Sequence, residues 1–436
     1  MTYDAALQYI ATTLRFGSKP GLDRIKNLLD LIGNPQDSLK FIHIAGTNGK
    51  GSVSKAVSAA LTKSGFKTGL FISPYVIEFC ERIQINGEYI SHEELAEEVE
   101  TIKPFAEELS EHPTEFELIT ALAFDYFKKK KCDIIVLEVG LGGRFDATNI
   151  IKNPLASVIT SISYDHMDFL GDTLPEIAFE KCGIIKNDGV TVTSPQQKPE
   201  VLEVIMKSCA QRNNTLVVPN ISSVKIQNEG IDGTDIKYGE IPIHIPLAGR
   251  HQILNFLTAF ETVKALLRRG INIQDKAIID GMAEVKFPAR MEILNRQPLV
   301  LLDGAHNFAG AAALRDSITR FIKEKPVLII GMLKDKEYEK SISLLAPLAK
   351  AVVAVKPESP RALHQNELKD IISKYCKNSA GCENYSGAFK KAIEYSGGAP
   401  IVICGSLYLA GSMRKTVKEV FKTTKAIPHN FKCTDV

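Results

Sequence analysis

The chain has no tryptophan, and its 8 cysteines are thinly spread over 436 residues. They stand at 80, 132, 182, 209, 376, 382, 404 and 433 with no CxxC pair, which disfavours both zinc and a disulfide framework. Cys132 and Cys404 fall in apolar segments, and the pattern reads as reduced thiols packed inside a cytoplasmic protein. No sign of charge dominates. With 53 basic and 51 acidic residues the net charge is +2, which gives no field for nucleic acid or an anionic membrane surface. The only dense basic run, Lys128–Lys131, closes a helical stretch, where cations complement the helix dipole and face solvent. No apolar run approaches membrane-spanning length, and the polar start MTYDAALQYI does not read as a signal peptide. Internal repeats and low-complexity segments are missing too. A chain of this length exceeds one ordinary core, so two domains are expected.

What is present is a βα rhythm. After two amphipathic helices over residues 2–32, joined by a loop at 16–21, strands are expected at 41–45, 68–72, 133–139, 156–161 and 189–193. Helices are expected at 50–64, 92–110, 114–130, 175–186 and 198–211. Apolar strands alternating with helices argue for a parallel α/β sheet. Residues 215–246 break the rhythm with short Ile- and Val-rich pieces that suggest a small antiparallel addition. Helices at 250–269 and 273–283 lead to a connector bracketed by Pro288 and Pro298. The rhythm then restarts with strands at 299–304, 327–332, 351–355 and 401–404. The expected domains are therefore 1–295, a parallel-sheet domain with the antiparallel addition, which the glycine turn at 46–52 marks as a P-loop ATPase domain, and 296–436, a Rossmann-like α/β domain.

The segment HIAGTNGKGS, residues 43–52, follows the apolar pair Phe41-Ile42. A strand running into a glycine turn, then a lysine and a hydroxyl at a helix start, is a phosphate cradle. Backbone N–H groups point at the anion and the lysine reaches the outer phosphates. The strict pattern wants a glycine six residues before the lysine and a Ser or Thr after it. Ile44 and Gly51 stand there instead, so the hydroxyl that would meet Mg²⁺ beside Lys50 must come from elsewhere.

Other polar residues sit at carboxyl ends of expected strands, the edge that faces ligands in open α/β sheets. Glu138, in DIIVLEVGLGGRFDATN, suits Mg²⁺, the plain alternative being a pair with Arg144. Ser73 ends the strand 68–72 and has the hydroxyl that Gly51 lacks, or else caps a turn. His166, between aspartates in SYDHMD, suits a metal or phosphate site, or is a surface turn. Lys181 lies on an apolar helix, where a lysine usually reaches its ammonium to solvent. Glu117 fits a capping box with Thr114 better than a functional role. In the second domain LLDGAHN places Asp303 and His306 at a strand end, with Arg290 in the connector before it. An arginine there would clamp a nucleotide only when the domains close. Ser406 and Tyr408, in GSLYLAGS, are weaker candidates for holding a small acid.

With these residues in hand, the chain resembles the folylpolyglutamate synthase/dihydrofolate synthase family of the Mur-ligase superfamily. The resemblance is carried nearly end to end by HIAGTNGKGS, SPYVIEFCERIQING, LEVGLGGRFDATN, DHMDFLGDT with FEKCGIIK, GRHQILNF, FPARME and DGAHN. It implies an ATP-dependent ligase that adds L-glutamate to a dihydropteroate or reduced-folate carboxylate through an acyl phosphate. It implies ATP held by Gly46, Thr47, Asn48, Gly49, Lys50, Gly51 and Ser52, with Asn255 and Arg250 nearby and Arg290, Asp303 and His306 supplied by the second domain. Ser73, Glu138 and His166 resemble the ligands of Mg²⁺, with two metal sites expected. Lys181 falls where the family carries a carbamylated lysine, Lys50 and His166 resemble the other catalytic groups, and the loop 73–87 resembles the folate-side loop. A monomer is implied.

Two rival readings are a peptidoglycan Mur ligase and a regulatory ATPase that ligates nothing. The first usually carries a full domain before the phosphate loop, and the roughly 45 residues before Gly46 are too few for one. The second leaves the Arg290, Asp303 and His306 set unexplained. Which pterin acid is used, and how many glutamates are added, stays open from sequence.

Overall fold

The computed structural model describes residues 1–13 and 21–425. The loop expected at 16–21 lies outside them except for Gly21, as does Cys433. The chain divides into two compact units, Met1–Phe287 and Pro288–Val436.

In the first unit the strands are β1 (Phe41–Ala45), β2 (Thr68–Phe71), β3 (Ile83–Ile85), β4 (Glu88–Tyr89), β5 (Ile134–Glu138), β6 (Ala156–Ile159), β7 (Val190–Thr193) and β8 (Thr215–Val217). They form one sheet in the order β4-β3-β2-β5-β1-β6-β7-β8, parallel from β2 to β8. Its central strands are buried on both faces and accordingly read as continuous apolar runs. Along β1 the period of two sends Ile42 and Ile44 toward Val53, Val57 and Leu61 of the helix Lys50–Lys63. Phe41 packs on the other face, with Leu118 and Leu122 of the helix Glu115–Lys129.

The sequence reading missed some pairings. Residues 83–87, expected within the loop 73–87, instead pair with Glu88–Tyr89 as a hairpin on β2, turned by Asn86 and Gly87, both at positive φ. Residues 215–217 extend the main sheet beside β7 instead of joining the antiparallel addition, because a three-residue strand carries too little pattern to assign. The addition itself is β9 (Val224–Gly230), β10 (Gly233–Tyr238) and β11 (Ile241–Ile245), all antiparallel.

The second unit holds β12 (Glu292–Arg296), β13 (Leu299–Leu302), β14 (Val327–Ile330), β15 (Ala351–Val355), β16 (Ser379–Cys382) and β17 (Ile401–Cys404), in the order β12-β13-β17-β14-β15-β16. All neighbours are parallel except β12, which pairs antiparallel with β13. The boundary expected at 295 cuts through β12, whose register Glu292↔Leu302 places it on the second sheet. β12 and β16 are the edge strands and only partly buried, and they escaped the reading for that reason.

Candidate active site

The helix Lys50–Lys63 begins where β1 ends. Its first-turn N–H groups at Lys50, Gly51 and Ser52 have no acceptor within the helix, and the helix dipole adds positive potential there. The turn needs its glycines. Gly46 has φ +152, and a Cβ there would lie 1.8 Å from Thr160 Oγ1. Gly49 has φ +86, and its Cβ would lie 2.3 Å from Asn255 Oδ1. Not all of the turn is free for an anion. The Thr47 and Asn48 amides both donate to the Ser161 carbonyl, at 2.9 and 3.3 Å. Thr47 Oγ1 donates to the Ser163 carbonyl, and Asn48 Nδ2 to Ser163 Oγ. Thr47 and Asn48 thus stitch the turn to the loop after β6, and the remaining amides of the expected set are those of Gly46 and residues 49–52.

Lys50 Nζ donates to the Gly46 carbonyl at 3.1 Å and to that of Thr47 at 3.4 Å. Lys181 does not reach solvent as an isolated helical lysine would. It is buried, and its Nζ donates to the same Gly46 carbonyl at 3.0 Å. Burial, reinforced by the charge of Lys50, lowers its pKa to about 7, against the opposing pull of Asp165 and Asp146.

Glu138 ends β5 beside Ile44 of β1 and is buried, its Oε2 3.7 Å from where a Gly51 Cβ would sit. Arg144 is not its partner there but forms a two-pronged pair with Glu180, at 3.3 and 2.6 Å. Ser73 follows β2, and its Oγ accepts from Arg82 Nη1 at 3.3 Å. His166 stands after β6 at φ +51, a conformation that in a non-glycine residue tends to collect at ligand sites. Its amide donates to Asp165, whose side chain is nearly buried. Ser73 and Glu138 leave adjacent strands, whereas His166 leaves a strand beyond β1. Three strand spacings separate β2 from β6, roughly 14 Å, so the strand ends alone do not gather all three on one ion.

Among the described residues no three His, Cys, Asp or Glu side chains converge to cage a metal. That suits Mg²⁺ carried on nucleotide phosphates, which needs only one or two protein ligands and keeps its waters. A buried carboxylate, a hydroxyl and an imidazole on one sheet edge fit that use.

Asn255 holds Gln252 through Nδ2 while its Oδ1 lies under Gly49, so it backs the phosphate turn. Arg250, expected near the nucleotide, forks onto Glu229 of β9. Glu117 closes the capping box with Thr114 and pairs with Arg24 at 3.1 Å, which accounts for it structurally. The run at 128–131 behaves as a solvated face, with Lys129 on Glu98 and Asp125 and Lys130 on Glu94.

Sequence reasoning passed over two groups here, one buried and one half-buried. His43 on β1 is fully buried, and its Nε2 lies 2.8 Å from Thr148 Oγ1. That hydroxyl also donates to Asp146 at 2.5 Å, so Nε2 carries the proton. Burial, with a smaller push from Lys186, lowers the His43 pKa to about 3. Lys55, on the helix Lys50–Lys63, donates to Gln84 Oε1, and burial lowers its pKa to about 8 against the pull of Glu81.

In the second unit Asp303 accepts from the Met291 and Ala305 amides at 3.0 and 2.9 Å. Burial raises its pKa, with the charge of Arg290 opposing. Arg290 Nη1 donates to the Ala289 carbonyl, and a Cβ at Gly304 would lie 2.7 Å from it. His306 Nδ1 lies 3.1 Å from the Gly304 carbonyl, so all three expected residues share the end of β13. Ser406 accepts from the Tyr408 and Leu409 amides, which makes it a helix cap, while Tyr408 is exposed.

Known proteins share this architecture. A model of the Mur ligase middle domain matches residues 44–263, and one of the Mur ligase glutamate ligase domain matches 289–407. A dihydrofolate synthase/folylpolyglutamate synthase of Bacillus subtilis is 37% identical over 431 residues, covering 95% of this chain and 99% of its own. A folylpolyglutamate synthase of Lacticaseibacillus casei is 33% identical, covering 96% and 99%. The folylpolyglutamate synthase of Mycobacterium tuberculosis, solved with ADP and AMPPCP, matches with a TM-score of 0.86 at 33% identity over 95% of this chain and 99% of that one. A structure described as an FPGS–AMPPCP–folate complex matches with a TM-score of 0.84 at 31% identity, covering 96% and 100%.

Proposed function

The chain belongs to the Mur ligase family, in its folylpolyglutamate synthase/dihydrofolate synthase branch, and on that premise we propose that it joins L-glutamate to the carboxylate of a folate or of dihydropteroate, cleaving ATP to ADP and phosphate. A carboxylate does not condense with an amine at neutral pH. Its oxygen first takes the γ-phosphoryl group, with ADP leaving, and the glutamate amine then attacks the acyl phosphate and expels phosphate. Phosphoryl transfer of this kind asks for positioning and charge neutralisation, not a covalent catalyst.

The observation that carries the reading is the anion site itself: open amides at the start of the helix Lys50–Lys63 and two ammonium groups on one carbonyl beside them. Lys50 neutralises the moving phosphoryl group, the amides of residues 49–52 hold its oxygens, and Gly46, Thr47, Asn48 and Asn255 shape the turn. Ser73 and Glu138, from adjacent strands, and His166, from beyond β1, would hold magnesium at two sites, and magnesium would supply charge neutralisation at the phosphates. His166 and Lys181 complete the catalytic set, Lys181 as a carbamate. Arg290, Asp303 and His306 serve the nucleotide.

We take the working form to be a monomer in the cytoplasm, in keeping with free thiols at the seven described cysteines. Among the described residues no helix is long and apolar enough to cross a membrane. The deciding experiment is ADP release with dihydropteroate and with reduced folates, each with and without L-glutamate. ADP release that requires both acid and glutamate is expected. Release that ignores glutamate would leave a nucleotide-binding ATPase instead.

A further inference from the structure

The loop between β2 and β3 is held by a single buried carboxylate. Glu81 is 2% exposed, and its two oxygens accept from three consecutive backbone amides: Val76 at 2.9 Å, Ile77 at 2.7 Å and Glu78 at 3.0 Å. Strand pairing ends at Phe71, so no sheet neighbour is there to satisfy those amides. The carboxylate gathers them into one turn, and charge-assisted bonds of this kind are the strong class.

The clasp is tied inward. The Glu81 carbonyl accepts from Gln84 Nε2 at 2.6 Å, and Gln84 Oε1 accepts from Lys55 Nζ at 2.5 Å. Gln84 is fully buried on β3, and Lys55 lies on the helix that opens with Lys50. The next residue, Arg82, donates from Nη1 to Ser73 Oγ at the start of the same loop. A continuous run of hydrogen bonds therefore leads from the phosphate helix to residues 76–78.

We propose that Glu81 is a positioning residue for the pterin-linked acid, holding the loop 73–82 in its receiving shape, with Gln84 and Lys55 anchoring it to the phosphate helix. The assignment rests on the proposed function and on the place of the loop, which opens at Ser73 on the sheet edge that also carries the turn after β1. The loop leaves exposed aromatic and aliphatic side chains at Tyr75 and Ile77, on either side of the first clasped amide, as a surface for a flat, partly apolar acid. Freeing the amides would leave ATP contacts in place and let that surface wander. The acid would then have to order the loop as it binds, which weakens its apparent affinity.

The test uses Glu81→Gln and, at the far end of the run, Lys55→Met, in the full-length chain. Glu81→Gln keeps the side chain's size but turns an NH₂ toward at least one amide. Loss of a charge-assisted bond predicts a rise of roughly tenfold in KM for the pterin acid, with kcat and KM for ATP moving less than about twofold. Lys55→Met should shift the same constant in the same direction by a smaller factor. Hydrogen exchange at the Val76, Ile77 and Glu78 amides should speed up in Glu81→Gln while the amides of the helix Lys50–Lys63 keep their protection. Amides that stay protected would overturn the clasp. Faster exchange with an unchanged KM for the acid would overturn its link to the substrate, and a parallel loss in all kinetic constants would reduce it to general stability. A wild-type chain that releases ADP without regard to pterin acid or glutamate would refute the proposed reaction, while the exchange measurement would still decide the clasp.

Discussion

Lys50 and Lys181 place their ammonium groups on one acceptor, the carbonyl oxygen of Gly46, at 3.1 and 3.0 Å. Burial is the main reason that the pKa of Lys181 is lowered, and the charge of Lys50 on the same carbonyl lowers it further. The arrangement is relieved by an anion, which is what a nucleotide phosphate brings. The same carbonyl thus organises both the lysine proposed to meet phosphate and the lysine whose pKa is lowered to about 7.

Lys50→Ala should abolish turnover without unfolding the chain, because its side chain serves the turn and not a core. Removing a group that neutralises the moving phosphoryl is expected to lower kcat by at least about a hundredfold. Thermal unfolding should stay within a few degrees of wild type. A kcat near normal would remove the phosphate assignment.

Lys181 should make activity depend on carbon dioxide. With a pKa near 7 its amine is mostly neutral at pH 8 and mostly protonated at pH 6. The neutral amine reacts with CO₂ to give a carbamate and a proton, replacing a positive charge with a negative one. Stripping CO₂ should lower activity and bicarbonate should restore it, with the larger response at lower pH. Lys181→Ala should be nearly inactive and regain activity with a short carboxylic acid. Activity indifferent to both additions would argue for a plain buried amine.

Gly51→Ser should not supply the missing hydroxyl usefully. A Cβ at Gly51 would lie 2.7 Å from Phe287 Cζ, so the ring must turn before a serine fits. Overpacking of this kind costs about 1–3 kcal/mol, to be seen as a lowered Tm and a raised KM for ATP. Adding Phe287→Leu should recover most of the Tm. If the single variant unfolds like wild type, Phe287 is not what keeps this position small.

His43 should contribute to acid lability. Its pKa lies near 3 in the folded chain, against an ordinary 6.5. Above 6.5 it is neutral folded or unfolded, and its burial carries no penalty from protonation. As pH falls from 6.5 toward 3 the unfolded chain takes up a proton that the folded chain refuses, so stability is lost by ~1.4 kcal/mol per pH unit. Urea unfolding of wild type and His43→Gln between pH 7 and 5 should show the shallower slope in the variant. Equal slopes would mean the imidazole is protonated in the folded state.

Local chemistry explains what was legible without coordinates. The strand 41–45, the glycine turn and the helix start at Lys50 lie within a dozen neighbouring residues, and each follows from the pattern of its own segment. That Glu138 ends a strand and that Ser73 and His166 follow strands could be read from sequence, because the apolar runs before them mark the strands. The box of Thr114 and Glu117 could be read because its partners are three residues apart. Tertiary structure decided the rest. The Thr47 and Asn48 amides are taken by Ser161, more than a hundred residues along the chain. Arg250 turns to Glu229, and β12 joins the second sheet through a pairing that its own half-buried residues do not announce. Its own helix made Lys181 look like a lysine that reaches water, the resemblance pointed instead to the site, and its burial with a bond to the Gly46 carbonyl is set by the distant turn. Periodicity reports which way a side chain faces, but charge, pKa and hydrogen-bond supply depend on what stands opposite, and that is set by segments distant in sequence.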